Sequence, residues 1–272
     1  MTPKERWNRV SRGTAVDEGH VSDFHCHLVA ASGEFVGTFF FLYMAYSGQL
    51  MVLNQYPSLA VSGGASSETI VFIALVYALS LLVNAWAFYR ISGGLFNPAV
   101  ALGLGLAGKL DWARILFLIP TQLVASMVAG GLVQAMFGGD ISNINTILVS
   151  GTSIAQGLFI EMFLTAQLVF VILMLAVEKS KDTFMAPIGI GLALFVAELS
   201  VYFTGGSLNP ARSFGCAVAG RSFPRYHWIY WLGPALGASL AAIYYRFVKW
   251  AHYEKANPGQ DSTGTDIEAG KP

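Results

Sequence analysis

The sequence predicts an all-α integral membrane protein, with six transmembrane helices plus two re-entrant half-helices arranged as an inverted repeat. Three observations carry this. Of the 272 residues, 54% are hydrophobic and only 12% are charged, about half the charge of a soluble domain. Six apolar runs are each long enough to cross a bilayer core, which takes about 20 residues of helix. Between them, two short Gly-rich stretches carry the same Asn-Pro-Ala box.

The spans fall at roughly 28–50, 69–90, 112–136, 153–177, 186–203 and 227–249. Transmembrane β-strands are about 10 residues long and alternate strictly; these runs are longer and solidly apolar, so they are helices. Residues 91–108 and 204–220 are apolar but too short or too broken to cross. Irregular backbone at membrane depth is tolerated only inside protein or beside a water-filled cavity. Each of these stretches therefore reads as a loop followed by a half-helix. The membrane domain is 28–250, with half-repeats at about 28–136 and 153–250 and tails at 1–27 and 251–272.

Lys and Arg set the orientation. The loops around 51–68 and 137–152 have neither. The first tail holds Lys4, Arg6, Arg9 and Arg12, the 178–185 connection holds Lys179 and Lys181, and the end of the chain holds Arg246, Lys249, Lys255 and Lys271. Both termini are expected on the cytoplasmic side, with the plasma membrane the expected location. The polar, basic first tail is not expected to act as a secretory signal.

Composition also excludes. Sixteen basic residues balance sixteen acidic ones, so nucleic acid is not an expected partner. Two cysteines, Cys26 and Cys216, cannot make a disulfide framework or a four-ligand zinc site. No nucleophile–base set or phosphate-binding loop stands out. No enzymatic activity, cofactor or metal is expected.

The two boxes are the centre of the argument. Ile91-Ser-Gly-Gly-Leu-Phe-Asn-Pro-Ala-Val100 matches Phe203-Thr-Gly-Gly-Ser-Leu-Asn-Pro-Ala-Arg212, and Asn97 and Asn209 stand 112 residues apart. Three spans lie between them, so the two segments enter from opposite faces. Glu34 and Thr38 in the first span match Glu161 and Thr165 in the fourth. The functional site of such a repeat is expected near the midplane, between the halves. Pro98 and Pro210 suit the first turn of a helix, where a missing N–H costs nothing. Asn97 and Asn209 then take the N-cap positions, with Ala99 and Ala211 following in the first turn. Each half-helix directs its positive end at the midplane. Arg212 follows the second box directly, and a charge at that depth is costly and usually functional.

With these motifs the chain resembles the aquaporin, or major intrinsic protein, family over about residues 28–250. The run Asn209-Pro-Ala-Arg-Ser-Phe-Gly215, the span-opening glutamates and Ala186-Pro187 carry the likeness. The stretch Arg221 to Pro234 is similar to fungal members. The resemblance implies a homotetramer in the lipid bilayer, one pore per subunit, conducting water or small neutral solutes such as glycerol and hydrogen peroxide while excluding protons and ions. It implies that the Asn97 and Asn209 amides face the pore and that Arg212 is the filter arginine.

By family spacing, the other filter residues are Tyr77 in span two and Gly206, three before Asn209. The span-five position stays open. Counting back from Asn209 gives Ala197; counting forward from Ala186-Pro187 gives Glu198. A deletion is easier in a loop than in a helix, which favours Glu198. Water-selective members carry His there. This chain has its histidines at 20, 25, 27, 227 and 252. Ser213, Ala217 and the pair Tyr230-Trp231 are nevertheless similar to the water type. A secondary transporter with broken helices and an aquaglyceroporin-type facilitator are the alternatives.

Glu34 and Glu161 are expected to be buried. A bare buried carboxylate costs several kcal/mol, and the resemblance implies that loop backbone N–H groups satisfy them. His20, His25, Cys26 and His27 cluster before span one. They read as a polar tail, with tail gating by protonation of His20, His25 and His27 as a further expectation. Ser180 is a candidate gating phosphosite.

Overall fold

In the computed structural model the described residues are 22–55, 66–180 and 182–260. Helix α1 runs Asp23–Gln55, α2 Ser67–Phe88, the half-helix α3 Pro98–Leu106, and α4 Trp112–Met136. A short 3-10 turn, Ile141–Ile144, leads to α5, Ile154–Ile172, which ends in a wide π-turn at Leu173–Val177. Then come α6 Ala186–Ser200, the half-helix α7 Pro210–Ala219, α8 Ile229–Trp250 and the short α9 Tyr253–Ala256. No strand occurs among the described residues.

Among the described residues five segments are long and apolar enough to cross a membrane: Asp23–Gln55, Ser67–Phe88, Trp112–Met136, Ile154–Val177 and Thr183–Ser200. The sixth expected span, α8, has 22 residues but is diluted by tyrosines, glycines, Arg246 and Lys249. It packs along α5 as α4 packs along α1. Helix α1 begins earlier than expected. His25, Cys26 and His27 lie in its first turns, not in a tail, because Ser22 caps that end and accepts the His25 N–H at 3.3 Å. His20 lies outside the described residues.

The packing has two-fold logic. α1 packs on α4 as α5 packs on α8. Each half-helix packs on the last long helix of the other half, α7 on α4 and α3 on α8. α2 and α6 meet each other across the repeat. Pro120 and Pro234 sit inside α4 and α8 respectively. Without a hydrophobic drive between helices in lipid, close approach depends on small residues. At Gly237 an added Cβ would stand 2.2 Å from the Met162 carbonyl oxygen; at Gly215, 2.5 Å from that of Ser126.

Large apolar side chains cover the outside. Leu116, Val83, Val196, Phe163 and Ile243 are exposed, while Glu34, Glu161, Gln122 and Arg212 are buried. This inversion of a soluble protein's arrangement is what a lipid solvent requires.

Candidate functional site

Both half-helices start as their sequences dictate. Asn97 caps α3, with Oδ1 accepting the Ala99 N–H at 2.8 Å. Asn209 caps α7, accepting from Ala211 at 2.9 Å and from Arg212 at 3.4 Å. Pro98 and Pro210 occupy the first helical positions. The caps then cross. Asn97 Nδ2 donates to the Leu208 carbonyl at 2.9 Å, and Asn209 Nδ2 donates to the Phe96 carbonyl at 2.8 Å. Each amide so holds the loop of the other repeat, and each retains a second N–H. Both asparagines line one cavity.

The loops feeding these caps bend the same way twice. Gly93 and Gly94 have φ of 103° and 65°, and Gly205 and Gly206 have 77° and 67°. Phe96 and Leu208, just before the asparagines, have φ of 51° and 48°. That region costs a non-glycine residue about 1–2 kcal/mol. The buried acids offset it. Glu34 accepts from Phe96 N at 2.7 Å, Leu95 N at 3.0 Å and Ser92 Oγ at 2.6 Å. Glu161 accepts from Leu208 N at 2.7 Å, Ser207 N at 3.0 Å and Thr204 Oγ1 at 2.7 Å. Gln122 adds a fourth donor to Glu34 at 2.8 Å. On the other side, Tyr230 donates its hydroxyl to the Thr204 carbonyl at 2.9 Å. Thr38 and Thr165, the other matched pair, each keep a buried hydroxyl without a partner.

Arg212 is 2% exposed. Nη1 donates to the Ile144 carbonyl at 2.9 Å and Nη2 to Gln49 Oε1 at 3.0 Å. Tyr77 donates to the same Gln49 oxygen at 2.8 Å. The Arg212 guanidinium stands 5.1 Å from the Tyr77 ring centre, while Tyr46 donates to the Arg212 carbonyl at 2.6 Å. Glu198 shares the cavity wall with Tyr77 and Arg212. Ala197 is buried away from it. Gly206 lies against Glu198: an added Cβ would be 2.6 Å from Oε2.

The cavity measures about 180 Å³ and runs from Tyr89, Lys179 and Thr183 past Asn97 and Asn209 to Arg212. Its wall between those ends is apolar, including Phe41, Leu81, Leu104, Leu168 and Leu194.

Several contributing residues carry no sequence signal that points to them. Gln49 reads only as a polar residue within an apolar span, and Gln122 likewise. Ser92 and Thr204, by contrast, occupy the same place in the matched motifs. Other candidates lie apart from the cavity. His27 accepts from Arg114 Nε at 2.7 Å and stacks on Phe117. His25 is exposed. Ser180 is exposed and accepts the Asp182 N–H at 3.2 Å. Ser213 donates to Ser207 Oγ at 2.6 Å, and Ala217 and Cys216 are buried. No cluster of three metal-ligating side chains occurs among the described residues.

At one end of the bundle Glu178 gathers three side chains. It accepts from the Tyr245 hydroxyl, pairs with Lys249 at 3.1 Å and lies 3.7 Å from Lys109. Lys249 also reaches Glu254 at 2.7 Å.

Comparison with known proteins agrees with this architecture. The pattern of the Major intrinsic protein family (MIP) matches residues 22–245. The chain is 64% identical over 244 residues to "Probable aquaporin-3" of Gibberella zeae, covering 89% of this chain and 85% of that protein. It is 54% identical over 240 residues to "Aquaporin-7" of Botryotinia fuckeliana, covering 87% of this chain but only 53% of that protein's length. The fold is similar to the X-ray structure of the aquaglyceroporin from Plasmodium falciparum, with a TM-score of 0.68 at 20% identity, over 82% of this chain and 95% of that one. The chain is an integral membrane protein and belongs to the major intrinsic protein family.

Proposed function

We infer that this protein is a passive transmembrane channel that conducts water, and with it small neutral solutes, while excluding protons and ions. The observation that carries the reading is the pair of crossed asparagine caps, Asn97 to Leu208 and Asn209 to Phe96. Two amide donors and two positive helix ends meet at one point of a mostly apolar passage. A water there turns its oxygen toward the amides. Its hydrogens then point away on both sides, so a hydrogen-bonded wire through the site is broken. A cation, a proton included, meets an unfavourable field. Arg212 adds a second positive group further along, in a filter with Tyr77, Glu198 and Gly206.

The relatives' names support this reading. The working unit we propose is a homotetramer with one pore per subunit, in the plasma membrane, with both termini cytoplasmic. The channel domain comprises residues 28–250 in two halves, and nothing in its chemistry requires a cofactor.

Stopped-flow light scattering on proteoliposomes tests the reading. Sucrose outside should drive shrinkage faster than in protein-free vesicles, and glycerol outside should reveal by re-swelling whether polyols follow. Shrinkage no faster than in protein-free vesicles would refute it. A saturable flux that requires an ion gradient would point to a transporter instead.

A further inference from the structure

The cavity has a second end, away from Arg212, and its wall there is built differently. Ile172, Ala176, Val177, Lys179 and Thr183 line it. All five come from the end of α5 and its connection to α6. That stretch is not ordinary helix. Leu173–Val177 is a π-turn, closed by the Glu178 N–H donating to the Leu173 carbonyl at 2.9 Å. The bond spans five residues where an α-helix spans four, so everything beyond it is turned relative to a plain helix. Such turns are rare and occur often at functional sites. The repeat does not require one: α1, the counterpart of α5, stays α-helical from Asp23 to Gln55. Something outside the turn must therefore hold it.

Glu178 is the first residue past the turn, and its side chain is tied to two other parts of the bundle. The Tyr245 hydroxyl and Lys249 Nζ, the latter at 3.1 Å, reach it from α8. Lys109 Nζ, at 3.7 Å, reaches it from just past α3. The ties brace one another: Lys109 Nζ also stands 5.5 Å from the ring centre of the buried Tyr245. The Lys109 N–H in turn donates to the Leu104 carbonyl at 2.9 Å, and Leu104 lines the same cavity. Partly buried charges are screened less than exposed ones. We propose that Glu178 is a positioning residue of the channel: by fixing the π-turn to α8 and to the end of α3, it keeps Ala176 and Val177 out of the passage they line. A loosened turn has the commoner α-helical bonding to fall back on. The cavity holds only about 180 Å³, so a wall that shifts into it obstructs it. The inference rests on the channel reading and concerns how fast that channel conducts, not what it selects.

The test measures sucrose-driven shrinkage of proteoliposomes over a range of temperatures, per folded protein as judged by size-exclusion chromatography. Glu178→Gln keeps a hydrogen-bond acceptor but loses both ion pairs. Its water permeability should fall several-fold, and the temperature dependence should steepen. The second readout separates position from folding, because fewer folded channels carry less water with the same temperature dependence. Lys249→Met, which removes one tie, should show the same change to a smaller extent. Glu254→Gln should match the wild type, since Glu254 bonds Lys249 from α9 and not the π-turn. Wild-type permeability in Glu178→Gln overturns the proposal, and so does a lower permeability with unchanged temperature dependence. If Glu178→Gln yields no folded protein, a wild-type temperature dependence in Lys249→Met overturns it equally. A Glu254→Gln effect as large as that of Glu178→Gln also overturns it. Absent water flux in the wild type would instead refute the channel reading itself, so the two failures are distinct.

Discussion

Gln49 holds Arg212 in place: its Oε1 accepts from Arg212 Nη2 at 3.0 Å. The same oxygen takes the Tyr77 hydroxyl, so one side chain of α1 ties α2 to α7 at the Arg212 end of the cavity. Replacing it leaves a buried guanidinium with one partner fewer, at a cost of about 1–3 kcal/mol. Gln49→Leu should lower the thermal unfolding midpoint and loosen both Arg212 and Tyr77. Glycerol permeability relative to water should rise several-fold in re-swelling assays. An unchanged ratio would show that Gln49 does not set the filter.

The acids beneath the loops are the next test. Glu161→Leu removes the acceptor of Leu208 N, Ser207 N and Thr204 Oγ1 together. Each unsatisfied donor costs about 1–3 kcal/mol, and Leu208 loses what holds it at positive φ. Folded protein should be scarce by size-exclusion chromatography. Glu34→Leu should do the same. Glu161→Gln should be milder, because one carbonyl oxygen still accepts.

Glu178 makes stability depend on pH. Burial pushes its acidity down, but the Tyr245 hydroxyl, Lys249 and Lys109 outweigh burial and hold the carboxyl below the ordinary carboxylate range. A group held low in the folded state stabilises above that range, and the contribution is lost as pH falls through and below it. The unfolding midpoint should therefore drop by a few degrees on going from neutral to about pH 4. Glu178→Gln should be less stable at neutral pH and lose part of that dependence. A variant with the wild-type pH profile would remove Glu178 as the cause.

Gly237→Ala probes the helix contact that positions the second half. The added methyl would meet the Met162 carbonyl oxygen at 2.2 Å, so α5 and α8 must part. Overpacking of this kind costs about 1–3 kcal/mol. Thermal unfolding in detergent should show it, whereas Gly131→Ala, whose added Cβ has no atom within 4 Å, should not.

Much of this is legible in the sequence. The matched Gly-Gly-x-x-Asn-Pro-Ala runs point to N-caps, to Pro at the first turn and to two-fold placement, because those are local rules of backbone chemistry. The positive φ of Phe96 and Leu208 was not legible, since neither is a glycine and only the tertiary bonds to Glu34 and Glu161 hold them there. Gln49 and Gln122 were silent because their partners lie 163 and 88 residues away. Ala197 and Glu198 could not be separated by counting, as the ambiguity lay in a loop. Helix phase separates them, with Glu198 in the cavity wall and Ala197 behind it. The start of α1 is hidden in the sequence because His25-Cys26-His27 is polar, and the Ser22 cap ahead of those residues shows only in the structure.

The most direct measurement records water flux and proton flux on the same proteoliposomes, using light scattering for volume and an entrapped pH dye for protons. Crossed donors at Asn97 and Asn209 predict water flux well above that of protein-free vesicles with no added proton leak. Proton flux rising in step with water, or water flux no higher than in protein-free vesicles containing no channel, would contradict the account.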